Sequence, residues 1–300
     1  IQSKYRLGLS ATFVRQWDEE GTQAIENYFG GELPDANYTV CDGIRDGRLC
    51  KYVYHIFIAS LQQNEFNDYY QQTLDIGIIS GKLKKDPTNK KLKQDLSAAN
   101  TVRADIIKNA SDKINAYKDL IKSRPILPYI VFLDDRKQLE KYRQEHHKLI
   151  DYINNSDMEK MNNNSFIFDG STSTKDRKII LEQSVGHKTP IFSMYCLDEG
   201  IDVPEFQGAI LVSSASSERQ YIQRRGRILR GAIQGKIAEL YDIIVIPTPE
   251  QVDDMEDLAM KIIKNELKRV EALSECSLNS SESKNKINDK FSSSGINFTF

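Results

Sequence analysis

The 300-residue chain has only four cysteines, one tryptophan and eight prolines, and 41 Lys and Arg against 43 Asp and Glu leave a net charge of −2. So even a balance gives no global attraction for nucleic acid or an anionic membrane, so such a partner has to be met by a local basic patch. Cys41, Cys50, Cys196 and Cys276 contain no CxxC pair. That argues against the usual zinc modules, and the four are read as reduced thiols of a reducing compartment, not a disulfide framework. No apolar run approaches the ~20 residues that cross a bilayer, and no signal peptide is recognisable. The expected setting is the cytoplasm, or the nucleus in a eukaryote, without a membrane partner. A phosphate loop of the form GxxxxGK[ST] is also lacking: Gly81-Lys82 and Gly235-Lys236 are each followed by an apolar residue.

What is present is a globular composition, 39% hydrophobic and 28% charged, enough for two domains or one with a large insertion. Because the chain opens on Ile1 and its first residues read as a strand, it is expected to be a piece of something longer. Residues 5–9 form that strand, with Ser10, Ala11 and Thr12 at its carboxyl end, where open α/β sheets place ligands. A helix follows over about 22–29, closed by Gly30-Gly31, then a connection with turn signals to residue 51 and a strand over 52–58. Between 65 and 123 apolar residues recur three or four apart, from Leu92 through Leu96, Ala99, Val102 and Ile106 to Ile121, one stripe on a long helix or two. Lys82-Leu83-Lys84-Lys85-Asp86-Pro87 interrupts it as an exposed turn, read as a solvated loop before a nucleic-acid contact.

Strands over 125–133, 165–168, 189–197, 208–212 and 237–246 alternate with helices over 134–154 and 173–183, the latter opened by Ser173 with Asp176. The fold class this predicts is α/β, a parallel sheet with helices on both faces. An amphipathic helix runs from Val252 to Val270, and the Ser-, Asn- and Lys-rich residues after 274 are expected to be mobile.

Four arginines, Arg224, Arg225, Arg227 and Arg230, fall within seven positions. Like charges that close together suit an anionic partner, and the arginine fork suits phosphate oxygens; the alternative is a solvated basic helix face. Ser216 or Ser217 can cap a short helix through Arg225, ended by Gly226, with Gln220, Gln223 and Arg224 on one face. Arg227 and Arg230 would then project just beyond the helix, from a sheet edge that also carries Asp202. In the run 198–204, Asp198-Glu199 is readable as a magnesium-holding pair, a reading weakened by the missing phosphate loop. The other reading uses Gly200 for close backbone approach and Asp202 as an acceptor for ribose hydroxyls.

Leu9-Ser10-Ala11-Thr12, Leu197-Asp198-Glu199-Gly200-Ile201-Asp202-Val203-Pro204 and Gln223-Arg224-Arg225-Gly226-Arg227-Ile228-Leu229-Arg230 resemble, in that order, motifs III, V and VI of superfamily 2 helicases. The QRxGRxxR form is most similar to the XPB-like and type III restriction-subunit branch. The resemblance implies a RecA-like parallel sheet plus a helical insertion. Residues 1–31 would end the first RecA-like, ATP-binding lobe, 32–60 connect, 61–123 form the insertion and 124–249 the second lobe. A C-terminal helix over 250–275 and a mobile tail over 276–300 complete the division. It implies ATP and Mg2+ as cofactors, held mainly by an absent first lobe, and a nucleic-acid partner, DNA by expectation, gripped through its backbone. Ser10, Ala11, Thr12 and Gly170 would serve nucleic-acid contact and coupling. Gly200 and Asp202 would meet nucleotide and strand, Gln223 would link the lobes, and Arg227 and Arg230 would be arginine fingers, with Arg224 holding local structure. The segment is expected to be inactive alone. Two alternatives stand beside the motor: a non-catalytic nucleic-acid-binding or regulatory subunit, and the motor part of a restriction or defence nuclease.

Overall fold

The computed structural model describes residues 5–8, 10, 18–31, 38–123, 128–155, 161–194, 206–213, 218–230 and 235–292. Its six strands are β1 (Lys51–Ser60), β2 (Tyr129–Leu133), β3 (Phe166–Phe168), β4 (Ile191–Met194), β5 (Gly208–Leu211) and β6 (Ile237–Ile246). They make one sheet in the order β1-β6-β5-β2-β4-β3, and every pairing is parallel. Parallel strands covered on both faces have no polar side, and β2 and β5 are buried at every residue. In β6 the run Ile243, Ile244, Val245 and Ile246 is wholly inaccessible, each side chain contributing about 1.5–3 kcal/mol by burial. This is the α/β, parallel architecture expected from the alternation of strands and helices, and it agrees with the RecA-like sheet that the resemblance implies.

The helices are α1 (Glu19–Phe29), α2 (Val40–Arg45), α3 (Gln63–Lys85), α4 (Lys90–Lys108), α5 (Lys113–Ser123), α6 (Arg136–Asn154), α7 (Thr174–His187), α8 (Glu218–Leu229), α9 (Pro249–Asp254), α10 (Glu256–Ser274) and α11 (Ser280–Phe291). The apolar stripe expected on one or two helices from Leu92 to Ile121 falls on two, α4 and α5. Asn89 caps α4 after the turn at Pro87, and a second turn at 109–112 precedes α5. Only α5 carries much core, through Ala116, Tyr117, Leu120 and Ile121, while α4 buries no residue.

Four expectations are corrected. Residues 5–8 are exposed and irregular, not a strand. The strand placed in the connector, β1, belongs to the sheet and pairs with β6 along its length from Lys51↔Ile237 to Ser60↔Ile246. The tail expected to be mobile is folded as α11, with Ile287 and Phe291 buried one helical turn apart. The reason lies in β1, an edge strand whose outer backbone groups need partners. The Leu278 amide donates to Tyr52 O at 2.9 Å, and Asn279 exchanges two 2.9 Å bonds with the Tyr54 backbone. Ser283 Oγ and Lys286 Nζ each donate at 2.7 Å, to Tyr54 O and Ile56 O. Finally, Cys41 and Cys276 are not free thiols but a disulfide, with a Cα–Cα separation of 5.4 Å. α2 leads into β1 and residue 276 leads into the helix covering β1, so the sheet edge brings together cysteines 235 residues apart. Cys50 is a free, buried thiol.

His146, 1% exposed on α6, shares a 3.0 Å hydrogen bond between its Nδ1 and the Tyr117 hydroxyl. Burial, reinforced by the neighbouring His147, pulls it down to about 3. The folded value lies below the unfolded one, so the unfolded chain binds a proton that the folded chain refuses. The stability this residue contributes is full above pH ~6.5 and falls by about 1.4 kcal/mol per unit on acidification toward pH 3. Urea unfolding at pH 7.5 and 5.0 should show a loss of about 2 kcal/mol in the native chain that is absent in His146→Phe; equal losses in both would refute it.

Candidate functional site

The arginine cluster lies on α8, which runs through Gly226 to Leu229, so the expected stop at Gly226 is corrected. A mid-helix glycine costs about 1 kcal/mol, less than is gained by burying Ile228 and Leu229, each 1% exposed. Continuing the helix also satisfies its last carbonyls. Leu229 O accepts from the Cys50 amide at 3.0 Å and Ile228 O from Lys236 Nζ at 3.1 Å.

Two arginines bolt α8 to the sheet. Arg224, 1% exposed, donates from Nη1 to Ser213 O at 2.7 Å and from Nη2 to Asp134 Oδ1 at 3.4 Å, and its guanidinium lies 5.2 Å from the Phe132 ring centre. Arg225 donates from Nη1 to Ala272 O at 2.7 Å and so ties α8 to α10. Arg227 is buried in the last turn of α8, and Arg230 is exposed just after it. Gln223 is half-buried, and Gln220 Oε1 is buried with no hydrogen-bond partner among the described residues.

Direction matters here. Ser213 and Asp134 follow the carboxyl ends of β5 and β2, whereas Cys50 and Lys236 precede the amino ends of β1 and β6. The twelve residues of α8, about 18 Å long, therefore cross the sheet from the carboxyl rim to the amino rim. Arg227 and Arg230 follow at the end of α8 that meets Cys50 and Lys236. Gly200, Asp202, Ala11 and Thr12 lie outside the described residues, and Ser10 is described only as exposed.

Gly170 stands on the opposite, carboxyl rim, exposed in the turn between β3 and α7. Asp169 organises that turn, accepting from the Ser171 amide at 2.9 Å and from Arg136 Nη1 at 2.5 Å. Bonds from Ser171 chiefly, then the Arg136 charge, hold its carboxyl below the usual range despite partial burial. α6 and α7 start on this rim, capped by Asp135 and Ser173. Two helix N-termini beside Arg136 make a surface suited to phosphate.

Sequence reading missed the lock behind Arg224. Asp134 also pairs with Lys108 Nζ at 3.1 Å, at the end of α4. Lys113 Nζ, 3% exposed, donates to Val212 O at 2.9 Å and Lys108 O at 3.2 Å; burial lowers it to about 8. Gln138 accepts from the Ser213 hydroxyl and donates to Asn109 Oδ1 at 3.1 Å. These contacts fasten the end of α4 and the start of α5 to the rim. The one signal for them in the sequence is Asp134 directly after a fully apolar strand. Among the described residues no group of three or more His, Cys, Asp or Glu is placed to hold a metal ion.

Residues 112–232, spanning β2 to β5 and α8, match the family described as helicase conserved C-terminal domain. That stretch is similar to a helicase C-terminal domain. No curated protein matches the chain. Among solved structures, the C-terminal part of the Fun30 ATPase domain is similar over 70% of this chain and 90% of its own, at 16% identity and a TM-score of 0.45. The Sulfolobus solfataricus SWI2/SNF2 ATPase core in complex with dsDNA is similar over 90% of this chain and 56% of its own, at 12% identity and 0.46. The C-terminal domain of the DEAD-box protein Dbp5 is similar over 52% and 92%, at 18% identity and 0.33. The matched residues leave out β1 and β6, which extend the same sheet.

Proposed function

We propose that the chain is the carboxyl-terminal half of an ATP-dependent nucleic-acid helicase or translocase, in the XPB-like and type III restriction-subunit branch of superfamily 2. The observation that carries this reading is the fixed arginine end of α8: Arg224 and Arg225 anchor the helix, and Arg227 and Arg230 follow within two turns. A guanidinium held by a rigid element stabilises charge on a transferring phosphoryl group without reorganising first.

ATP with Mg2+, held mainly by the preceding lobe, would supply the phosphoryl transfer that drives lobe movement. Guanidinium groups fit the phosphates, and no described group of three or more His, Cys, Asp or Glu gathers to hold a metal. Arg227 and Arg230 would complete the phosphate pocket, Gln223 would link the lobes, and Gly200 and Asp202 would meet the ribose and the strand. Ser10, Ala11 and Thr12 would couple hydrolysis to movement. Gly170 and the starts of α6 and α7 would hold the nucleic-acid backbone, DNA on this reading, so binding weakens with salt and is nearly indifferent to sequence.

The test compares the 300-residue chain with the longer protein that includes the preceding lobe. The chain alone should not turn over ATP, while the longer protein should do so faster when DNA is added. A longer protein that binds DNA but never hydrolyses ATP is instead a non-catalytic binding subunit.

A further inference from the structure

We propose that the turn joining α3 to α4 is a second nucleic-acid contact, a basic fingertip that grips the phosphate backbone away from the sheet; this rests on the reading of the chain as part of a nucleic-acid motor. Lys82, Lys84, Lys85, Lys90, Lys91 and Lys93 surround the turn at 86–89, and all six are exposed. Asp86 is the one acid between them, and it is occupied by Thr88 Oγ1 at 3.1 Å and Asn89 Nδ2 at 3.0 Å. The stretch 82–93 thus carries +5, six lysines against one aspartate, in a chain whose net charge is −2. No ion pair involves any of these lysines among the described residues.

The tip stands away from the body. α3 buries only Phe66 and Tyr69, close to its start, and α4 buries nothing. From Tyr70 to Lys85 the helix rises about 24 Å, roughly three Debye lengths at physiological salt, so acids on the sheet do not offset the tip.

The lysines of the two helices differ in what explains them. Lys82, Lys84 and Lys85 lie in the last turn of α3, where cations favour the helix, so a purely structural role accounts for them. Lys90, Lys91 and Lys93 open α4, whose first turn contains no acid. At a helix N-terminus the backbone already presents positive charge, and each lysine there disfavours the helix. Fold stability does not account for them, whereas a polyanion does: helix terminus and ammonium groups would act on the same phosphates. Ammonium groups without a planar recognition geometry contact phosphates as point charges, so the contact reads no sequence.

The experiment measures affinity of the whole 300-residue chain for a fluorescent mixed-sequence DNA duplex between 50 and 300 mM salt, against Lys90→Gln/Lys91→Gln/Lys93→Gln. Each lost phosphate contact lowers the log–log salt slope by about 0.9, so the triple variant should lose up to about 2.7 and bind at least ~10-fold more weakly at 100 mM. Its melting temperature should hold or rise, because three cations leave a helix N-terminus, whereas a structural role predicts a fall. An unchanged slope overturns the fingertip contact even if the longer protein hydrolyses ATP, and a lowered slope supports it even if that protein does not. Loss of binding to phosphatidylserine vesicles in the variant with duplex affinity intact also overturns it, in favour of a membrane surface.

Discussion

Arg227→Ala in the longer protein should lower the ATP turnover number about 10³-fold or more while changing DNA affinity less than about twofold. The reasoning is differential. A finger meets charge that develops only in the transition state, so its loss falls on kcat and kcat/KM together and leaves ground-state binding alone. Arg227→Lys separates charge from shape. Lysine keeps one positive charge and a long stem but loses the planar fork, so it should recover less than about a tenth of the turnover. Arg224→Ala is the contrasting variant: that guanidinium is bonded to Ser213 O and Asp134 inside the domain, so its loss should lower stability and weaken turnover and DNA binding together. Because Arg227 is itself buried, rates must be taken at least ~10 °C below each variant's melting temperature. Retention of more than about a tenth of native turnover by Arg227→Ala would end the finger assignment.

The sheet was legible because buried parallel strands announce themselves as apolar runs. β6 was expected over 237–246 and occupies Ile237–Ile246, and β2, β4 and β5 lie inside their expected ranges. What local pattern could not convey is what each segment is set against. β1 alternates, with Tyr52, Tyr54 and Ile56 buried on one side, and so resembles any half-buried strand until β6 is placed beside it. The residues of α11 have the composition of a solvated tail, and two apolar side chains one turn apart are too few to predict docking. The helix is held by Asn279, Ser283 and Lys286 on the outer backbone of β1, a demand created by the sheet and invisible from the tail itself. The disulfide follows from the same closure. Gly226 illustrates the limit from the other side: local propensity marks a helix end, and burial of Ile228 and Leu229 overrides it. The course of α8 was likewise not legible, since its direction depends on which strand ends receive its two termini.

The largest stability effect is expected from Arg269→Met, about 3–5 kcal/mol by urea unfolding. Arg269, on α10, donates from Nε to Asp242 Oδ2 at 2.9 Å and from Nη1 and Nη2 to Glu266 at 3.3 and 2.9 Å. Side-chain exposures of 9%, 0% and 11% for Arg269, Asp242 and Glu266 leave water little part in the balance. Burial alone would lower the arginine, yet the two carboxylates raise it above its ordinary value. Methionine keeps most of the volume and removes the charge, leaving Asp242, in the middle of β6, and Glu266 as facing anions inside the domain. The Tyr54 hydroxyl, which donates to Asp242 Oδ2 at 2.9 Å, cannot neutralise them. Removing all three charges with Asp242→Leu and Glu266→Leu should recover most of the loss, because a buried ion network is worth little against a well-packed apolar one. Recovery should stop short by about 1–3 kcal/mol, since the Val245 amide, which donates to Glu266 Oε2 at 3.1 Å, loses its acceptor. A single-variant loss below about 1 kcal/mol would mean that water or rearrangement satisfies the carboxylates, and the network would not be what fastens α10. That fastening reaches the arginine end of α8, because α10 supplies the carbonyl of Ala272 to Arg225. Loosening α10 should therefore weaken turnover in the longer protein even though Arg269 lies on a different helix from Arg227.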